Sequence, residues 1–396
     1  MSSVTITGTS SSTLVLHYDA ASNYALAAQL ASQINAGVAA GTPTYVTTPV
    51  PGFGQTPPAL TAGQTGVFFQ TDPTSYAHLA GAYTEVAANT GGTAFITAAN
   101  GLAGQVILSD KTTNLDFNET GGSGTVAAGG GNNTLNLQGA GNWLVNAGGG
   151  ANGILLGSGN DLIQSIGNDS IYGGTGAETV NALGATSDFV QGGSSDLYFV
   201  GGAGGATIYG GNGSDTFFGG SGTQLVYGGS AGDNFLEAGF GAAATLQGGG
   251  AGDTLAAVGS SAQVLTAGPG SELLTAALSS GADLLTAGYG NDTLVGGSGA
   301  DTFVGGAGNA TIQAGSGSSV FELVQGQSSQ EVVQGIFNVN QIKINLVGYS
   351  GNPNGIPADV TGNSVVNGSL VVTLSDNTKI TFLNINHTLT ANNFTH

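Results

Sequence analysis

The chain lacks cysteine and arginine, and only Lys111, Lys343 and Lys379 carry fixed positive charge among its 396 residues. Without cysteine, disulfides and thiolate metal sites are excluded. The 23 acidic residues give a formal net charge of −20, which three lysines cannot neutralise. A chain without basic patches is not expected to bind nucleic acid or anionic membranes. Bound cations are the remaining source of compensating charge.

Long apolar runs and catalytic motifs are also missing. No segment approaches the 18 apolar residues of a transmembrane helix, and the first residues lack the basic and apolar regions of a Sec-type signal peptide. None of the four histidines has HExxH spacing. Residues 228–232 match G-x-S-x-G, but no strand-to-helix turn or nearby histidine accompanies them. We therefore predict no catalytic residue and expect a protein that is not an enzyme.

Glycine is abundant, with 73 residues, and much of it falls in a nine-residue pattern repeated about twenty-one times between residues 128 and 322. Clear copies are GGNGSDTFF (210–218), AGYGNDTLV (287–295) and GGSGADTFV (296–304). A fixed short period predicts a solenoid, and this pattern is typical of calcium-binding parallel β-helices. We expect the glycines to form turns through positive φ angles. The eighth position is always apolar or aromatic, including Tyr198, Phe235 and Val264, and is predicted to face the core.

These nonapeptides resemble the RTX, or hemolysin-type calcium-binding, family over about half of the chain. The resemblance implies a β-roll in which two nonapeptides form one coil and successive turns lie on alternating edges. It also implies Ca²⁺ ions held between successive turns of one edge by carboxylates at the sixth position. Hard carboxylate and carbonyl oxygens suit calcium.

Alternate sixth positions give the predicted metal ligands of each edge. The first edge carries eight acidic residues in succession, two of them glutamates where the family has aspartate: Asp161, Glu178, Asp196, Asp215, Asp233, Asp253, Glu272 and Asp292. The second edge carries two separate pairs: Asp169 with Asp188, and Asp283 with Asp301. Between these pairs Ala206, Gln224, Ala244 and Ala262 have no charge, so we expect hydrogen bonds to hold those turns.

The carboxy-terminal segment GSLVVTLSDNTKITFLNINHTLTANNF (368–394) resembles the secretion domain of RTX proteins that are exported by type I secretion. An ordinary β cap explains the same pattern, and the two interpretations are compatible. The resemblance implies a secreted protein, extracellular or at the cell surface. Calcium is scarce inside cells, so we expect the roll to fold outside.

Composition divides the chain into three predicted domains: a mixed α/β region (1–127), the calcium-binding β-roll (128–322) and a β-rich cap (323–396). The fold class is thus mainly β, a parallel solenoid. Residues 20–40 have the strongest helix propensity, with Leu26, Leu30 and Ile34 on one face. Prolines between Pro43 and Pro58 indicate an extended connector. Asp376 and Asn377 are predicted to form the turn of a hairpin.

Three functions fit these features. The first is a structural protein that assembles with its own copies into a surface layer or matrix filament. The second is a calcium-dependent adhesin that binds a cell-surface polysaccharide through aromatic residues; the candidates are Tyr45, Phe53, Phe68, Phe69, Tyr76 and Tyr83. Packing in the core is the alternative role for those residues, and we favour it. The third is a small secreted enzyme acting on polysaccharide, with His17 and Asp19 as the only cluster to consider.

Overall fold

A computed structural model describes residues 2–8, 13–40, 66–73, 76–79, 83–98, 103–230, 232–336, 338–352 and 355–395. The chain divides into two compact units, Met1–Ala206 and Thr207–His396. We call them the amino-terminal and carboxy-terminal units and describe each by itself. Both are mainly β, as predicted, and the chain has a single long helix among the described residues. The predicted connector between Pro43 and Pro58 lies outside these residues.

The amino-terminal unit contains one helix, α1 (Ala21–Ala39). Its strands, in chain order, are β1 (Ser2–Thr7), β2 (Thr13–Tyr18), β3 (Gly66–Gln70), β4 (Tyr76–Leu79), β5 (Tyr83–Ala88), β6 (Thr93–Ala98), β7 (Gln105–Ser109), β8 (Asn114–Glu119), β9 (Gly124–Ala127), β10 (Thr134–Leu137), β11 (Trp143–Asn146), β12 (Ala151–Leu156), β13 (Asp161–Gln164), β14 (Asn168–Tyr172), β15 (Glu178–Ala182), β16 (Ser187–Gln191) and β17 (Leu197–Gly201). The division between the units falls within β18 (Gly205–Tyr209).

From β3 onward the strands of this unit form a parallel solenoid. Odd-numbered strands pair with odd-numbered neighbours and even-numbered strands with even-numbered ones, as in the registers Asp161 with Glu178 and Asn152 with Asp169. Two repeats therefore make one coil, with a sheet on each side. The parallel pairing already includes β3, β5 and β7, which precede the first nonapeptide. The domain boundaries after residues 127 and 322 stay predictions.

Helix α1 and the antiparallel pair β1–β2 cover one outer face of this solenoid. The predicted stripe of the helix is present: Leu30 and Ile34 are buried, and Leu26 is partly buried. They share one cluster with apolar residues of β1 and β2 and with Phe69, Ala87, Leu108 and Ala127 of the odd-numbered strands. The helix is thus held by packing of its apolar face on the sheet.

The strands of the carboxy-terminal unit are β19 (Thr216–Phe218), β20 (Gln224–Tyr227), β21 (Phe235–Glu237), β22 (Ala244–Gln247), β23 (Thr254–Gly259), β24 (Val264–Thr266), β25 (Leu273–Ser279), β26 (Leu284–Thr286), β27 (Asn291–Val295), β28 (Thr302–Val304), β29 (Asn309–Gln313), β30 (Val320–Val324), β31 (Gln330–Gln334), β32 (Lys343–Val347), β33 (Val360–Val366), β34 (Ser369–Leu374), β35 (Lys379–Phe382) and β36 (Phe394–Thr395). Two 3₁₀ helices, Val339–Gln341 and Ala391–Asn393, complete it. Strands β19 to β32 repeat the alternating parallel pairing.

An antiparallel group, β33–β34–β35, joins this solenoid through the pairing of β35 with β31. The predicted hairpin is present, and Asn377 in its turn has a φ of 69°. The last strand, β36, pairs with β32. Phe382 of the hairpin packs edge-on against the core residue Phe321, with ring centroids 5.2 Å apart. The hydrophobic core therefore continues from the repeats into this terminal group.

The predicted core position is confirmed in most repeats, with Ile163, Val180 and Leu294 fully buried. It is wrong by one residue in three of them. Phe199, Leu236 and Leu265 are buried there instead of Tyr198, Phe235 and Val264, and the Tyr198 side chain is 44% exposed. The reason is turn length. The core position was predicted by its distance from the sixth position of the nonapeptide, and in these three repeats the sixth position lies one residue further from the strand.

Most glycines of the repeats are needed because the coils stack closely and leave no room for a side chain. Few of them adopt a left-handed backbone conformation. Among the described glycines of residues 128–322, only Gly148, Gly252 and Gly259 have positive φ. At Gly176, an added Cβ would lie 1.7 Å from the Gly159 carbonyl oxygen of the preceding coil. The expectation that positive φ explains the glycine content is therefore wrong for most turns.

Candidate metal centres

One position in each repeat determines the chemistry of the roll. It is the inward-facing residue two places before the buried centre of each strand, and we call it the ladder position. The ladder residues of the odd-numbered strands form the odd ladder, and those of the even-numbered strands form the even ladder. Each ladder residue either begins its strand or directly precedes it. In parallel sheets neighbouring strands lie about 4.8 Å apart. Side chains at successive ladder positions are therefore near neighbours.

The odd ladder of the amino-terminal unit reads Trp143, Asp161, Glu178 and Leu197. Asp161 Oδ1 accepts a hydrogen bond of 2.7 Å from the backbone N–H of Trp143. Asp161 Oδ2 is buried and has no hydrogen-bond partner. Glu178 Oε1 accepts from Gly174 N–H within its own turn at 2.8 Å. Two acidic side chains are thus adjacent inside the roll.

The predicted ligand Asp196 is not on this ladder. Leu197 pairs with Glu178 and is buried, whereas Asp196 is exposed just outside the strand. The run of acidic residues predicted for the first edge therefore ends here, because an apolar residue takes the ladder position.

The even ladder of this unit reads Asn133, Asn152, Asp169 and Asp188. Asn133 Nδ2 donates to Asn152 Oδ1 at 2.8 Å, and Asn152 Nδ2 donates to Asp169 Oδ1 at 2.6 Å. The Ser165 hydroxyl lies between the two carboxylates, 2.6 Å from Asp169 Oδ2 and 2.9 Å from Asp188 Oδ1. The predicted pair Asp169 and Asp188 is brought together, with Asp188 Oδ2 buried and without a hydrogen-bond partner.

The odd ladder of the carboxy-terminal unit contains the longest acidic run on the described residues. It reads Asp215, Asn234, Asp253, Glu272, Asp292, Ala310 and Glu331. The predicted ligand Asp233 is exposed, with a φ of 66°, one residue before the ladder position that Asn234 occupies. Asp253, Glu272 and Asp292 remain in direct succession. The eight-residue succession predicted for the first edge is therefore wrong and is replaced by shorter runs.

The aspartates of this ladder connect coils as well as turns. Asp253 Oδ1 accepts from Asn234 N–H of the preceding coil at 2.9 Å, and its Oδ2 accepts from Gly249 N–H of its own turn at 2.8 Å. Asp292 makes the same two kinds of bond, with Glu272 N–H at 3.0 Å and Gly288 N–H at 2.7 Å. Each carboxylate thus ties its turn to the preceding coil.

The even ladder of this unit has an uncharged stretch followed by an acidic pair. Gln263 Oε1 accepts from Ala244 N–H at 2.6 Å, and Gln263 N–H donates to Asp283 Oδ1 at 2.8 Å. Gln263, not Ala262, holds the ladder position. The expectation that hydrogen bonds hold the uncharged turns is confirmed at Gln263. Asp283 and Asp301 follow as neighbours, with Asp283 N–H donating to Asp301 Oδ1 at 3.1 Å.

Burial of these acids is electrostatically costly. Burial raises the pKa of Asp161 to about 6 and the pKa of Asp188 and Glu272 to about 7, although hydrogen bonds to each carboxylate oppose the shift. Within the described part of the chain, the only ion pairs are those of His17 with Asp110 and Lys111 with Asp19. Neither pair includes Asp161, Asp188 or Glu272. A bound cation would supply the missing charge.

Glu331 is a ladder residue that the sequence analysis missed. It is 1% exposed and lies one coil beyond Ala310 in register. Burial raises its pKa to about 7, and the Asp292 carboxylate adds to the shift. It escaped notice because its strand follows a turn without the nonapeptide glycines. The only signal in the sequence was the alternation of the strand QEVVQ, in which Glu331 and Val333 point inward.

The ladder acids fit calcium in their donor set. Paired carboxylates lie beside glycine-rich turns with many backbone carbonyls, and Ca²⁺ takes six to eight oxygens of these two kinds. The buried second oxygens of Asp161, Asp188 and Asp283 have no hydrogen-bond partner, so they are available to a cation. No group of three or more acidic or histidine side chains lies close together in the described ranges. Carbonyl oxygens would therefore have to complete each coordination shell.

The remaining candidates have structural roles or lie outside the described residues. Phe68 and Phe69 are buried, as favoured for core residues; Tyr45, Phe53 and the side chain of Tyr83 are not described.

The candidates for catalysis also have structural roles. His17 Nδ1 lies 2.9 Å from Asp110 Oδ2, and Asp110 Oδ2 also accepts from His17 N–H at 2.7 Å. This contact attaches β2 to the turn after β7. In the G-x-S-x-G segment, Ala231 lies outside the described residues.

Comparison with known proteins identifies the repeat. A family model of the RTX calcium-binding nonapeptide repeat matches four copies, at residues 165–185, 198–223 and 279–318. These ranges include the ladder acids Asp169, Glu178, Asp215, Asp283, Asp292 and Asp301. The chain therefore contains RTX calcium-binding nonapeptide repeats. No curated protein matches it significantly.

Proposed function

We propose that the protein is a secreted, calcium-binding structural protein that assembles with its own copies into a surface layer or matrix filament. The observation that carries this proposal is the succession of buried ladder acids, among which Asp161, Asp188 and Asp283 each keep one buried carboxylate oxygen without a hydrogen-bond partner in the described part of the chain. The rest of each unit is mostly strands and turns of the roll. No helix of the described chain is long and apolar enough to cross a membrane.

Calcium would be held at the acidic runs of the ladders. The ligands in the amino-terminal unit are Asp161 with Glu178 and Asp169 with Asp188. Those in the carboxy-terminal unit are Asp215, the run Asp253, Glu272 and Asp292, and the pair Asp283 and Asp301. The ion supplies positive charge and hard coordination, while the carboxylates and turn amides keep adjacent coils in register. Because like charges repel when stacked, the folded roll is favoured only when the cation is present.

This coupling suits export before folding. Extracellular calcium modules bind at roughly 10⁻⁴ to 10⁻³ M, so their sites are empty in the cytosol and filled outside. The tail that resembles a type I secretion domain is itself part of the folded cap. Leu389 and Phe394 are buried, and Asn393 Nδ2 donates to the Val339 and Ile342 carbonyls at 2.8 and 3.0 Å. We expect the export machinery to read this tail while the cap is unfolded.

Exposed apolar side chains of the carboxy-terminal unit support self-assembly. Phe240 is 71% exposed and Leu278 is 77% exposed. Leu278 pairs with Val258, whose neighbour Gly259 stacks directly on Phe240, so both side chains lie on one edge of the roll. Apolar groups that are this exposed on a soluble domain commonly mark contact sites.

Electron microscopy of the secreted protein tests the assembly. Ordered sheets or fibres should form with millimolar calcium and dissolve in chelator. Phe240→Ser with Leu278→Ser should abolish them while the circular dichroism stays unchanged; Leu273→Ser, on the sheet face, is the matched control. Dispersed monomers at every calcium concentration would refute self-assembly.

A further inference from the structure

The amino-terminal unit has a surface cleft apart from the carboxylate ladders. It lies where the end of β2 and the start of α1 meet two glycine turns, and its volume is about 350 Å³. Tyr18, Asp19, Ala20, Asn23, Gly130 and Gly149 line it. A cleft of this size accommodates one small polar molecule or one unit of a polymer.

Two deeply buried polar atoms of the lining residues have no hydrogen-bond partner among the residues that the structure describes. They are the Tyr18 hydroxyl and Asn23 Oδ1, on side chains that are 1% and 2% exposed. Asn23 Nδ2 donates to the Ala128 carbonyl at 3.0 Å, which fixes the amide with its oxygen unsatisfied. A buried polar group without a hydrogen bond is energetically costly, so these two atoms at one cleft favour a ligand that carries both a hydrogen-bond acceptor and a hydrogen-bond donor.

The chemistry of these atoms defines the ligand. Burial raises the pKa of Tyr18, and the Asp110 charge adds to the shift; the hydroxyl therefore stays protonated and donates. Asn23 Oδ1 only accepts. A ligand hydroxyl can accept from the first and donate to the second, whereas an ionised carboxylate can only accept.

The rim of the cleft also disfavours an anion. The Asp19 carboxylate lines it, and the Lys111 ammonium, 3.3 Å from Asp19 Oδ1, is paired with that carboxylate. A neutral ligand avoids both this charge and the net charge of −20. We propose that the cleft binds a neutral, hydroxyl-rich unit, namely a sugar residue of a glycan.

Gly149 keeps the cleft open. An added Cβ at Gly149 meets no atom within 4 Å, unlike Gly148, where the Gly129 carbonyl oxygen would lie 1.8 Å away. A side chain at residue 149 would therefore cause no clash in the stacked turns, and because Gly149 lines the cleft, we expect it to narrow the space for a ligand. Gly153 in β12 also has free space around an added Cβ but does not line the cleft, so it provides a matched control.

Saturation-transfer NMR tests the proposal with the full chain in saturating calcium. The probes are neutral hexoses and their oligosaccharides, with a uronic acid and a primary amine as charged comparisons. We expect neutral sugars to bind at millimolar Kd or tighter. Gly149→Val and Tyr18→Phe should each weaken binding at least tenfold, and Gly153→Val should leave it within twofold.

Three outcomes would overturn the proposal: no neutral sugar binds, the amine or uronic acid binds in preference, or Gly149→Val binds as well as wild type. Circular dichroism of each variant verifies the fold. Because this test is made on the calcium-loaded chain and does not measure assembly, its failure leaves the proposed structural function unaffected.

Discussion

At the scale of single residues, the strand register decides whether an acidic side chain lies inside the roll. The presence of an acid in the repeat does not by itself place it there. Asp253 occupies a ladder position and binds the backbone of two coils. Asp233, twenty residues earlier in the chain, is exposed in the turn. The same residue type thus has two roles that differ by one step of register.

Asp253→Asn should raise the calcium concentration at the folding midpoint about tenfold, equivalent to about 1.4 kcal/mol. The substitution removes the negative charge of a calcium ligand. It also replaces one acceptor oxygen with an NH₂ group, which cannot accept the hydrogen bond from the Gly249 or the Asn234 N–H. Asp233→Asn should change the midpoint less than twofold, since asparagine tolerates the positive φ there. Calcium titration followed by far-ultraviolet circular dichroism measures both. Equal shifts for the two variants would contradict the ladder assignment.

Glycine stacking gives a second prediction at this scale. Gly176→Ala places a methyl group against the Gly159 carbonyl oxygen, and we expect a loss of about 2–3 kcal/mol in the free energy of unfolding, as for other overpacked sites. Gly153→Ala has open space in a strand and should be neutral or slightly stabilising. Urea denaturation in excess calcium compares them. A harmless Gly176→Ala would show that the turns need glycine for another reason.

At the scale of elements, the hairpin β34–β35 fixes the end of the carboxy-terminal unit through one side chain. Asp376 Oδ2 accepts from Gly326 N–H and from the Tyr349 hydroxyl, each at 2.7 Å, and its Oδ1 accepts from Thr378 N–H at 3.0 Å. Partial desolvation would raise its pKa, but these hydrogen bonds outweigh it and hold the pKa at about 2. The carboxylate therefore attaches the hairpin turn to the loop after β30.

This lowered pKa predicts an acid-sensitive contact. A depressed folded-state pKa stabilises the fold above the unfolded pKa, about 4, and the contribution is lost as the pH falls toward 2. Hydrogen exchange at Gly326 and Thr378 should be faster in Asp376→Asn than in wild type at pH 5, and the difference should shrink toward pH 2 and vanish below it. Asp233→Asn should match wild type throughout. A difference that is independent of pH would contradict the role of the charge.

The same scale shows where sequence reasoning succeeds and fails. The nine-residue period and the inward apolar residue predicted the solenoid, because both follow from coil geometry. The ladder was misassigned at Asp196 and Asp233, because turn length varies by one residue while the strand register stays constant. Coils β3 to β9 and Glu331 were not recognised, since their turns lack the glycine motif. Tertiary stacking, which a local pattern does not encode, decides those positions.

At the scale of the whole molecule, charge connects composition to function. An acidic chain with three lysines places many of its carboxylates inside a roll, and in the described part of the chain no ion pair includes Asp161, Asp188 or Asp283. A cation present only outside the cell would turn that cost into a condition for folding. The fold would then assemble where calcium is available and remain threadable where it is not.

The most direct test of calcium-coupled folding is far-ultraviolet circular dichroism of the full chain at neutral pH, in chelator and across a calcium titration. We expect a disordered spectrum in chelator and a cooperative change to β structure at roughly 10⁻⁴ to 10⁻³ M calcium, reversed by chelator and not produced by magnesium. An equal β signal with and without calcium would contradict the account.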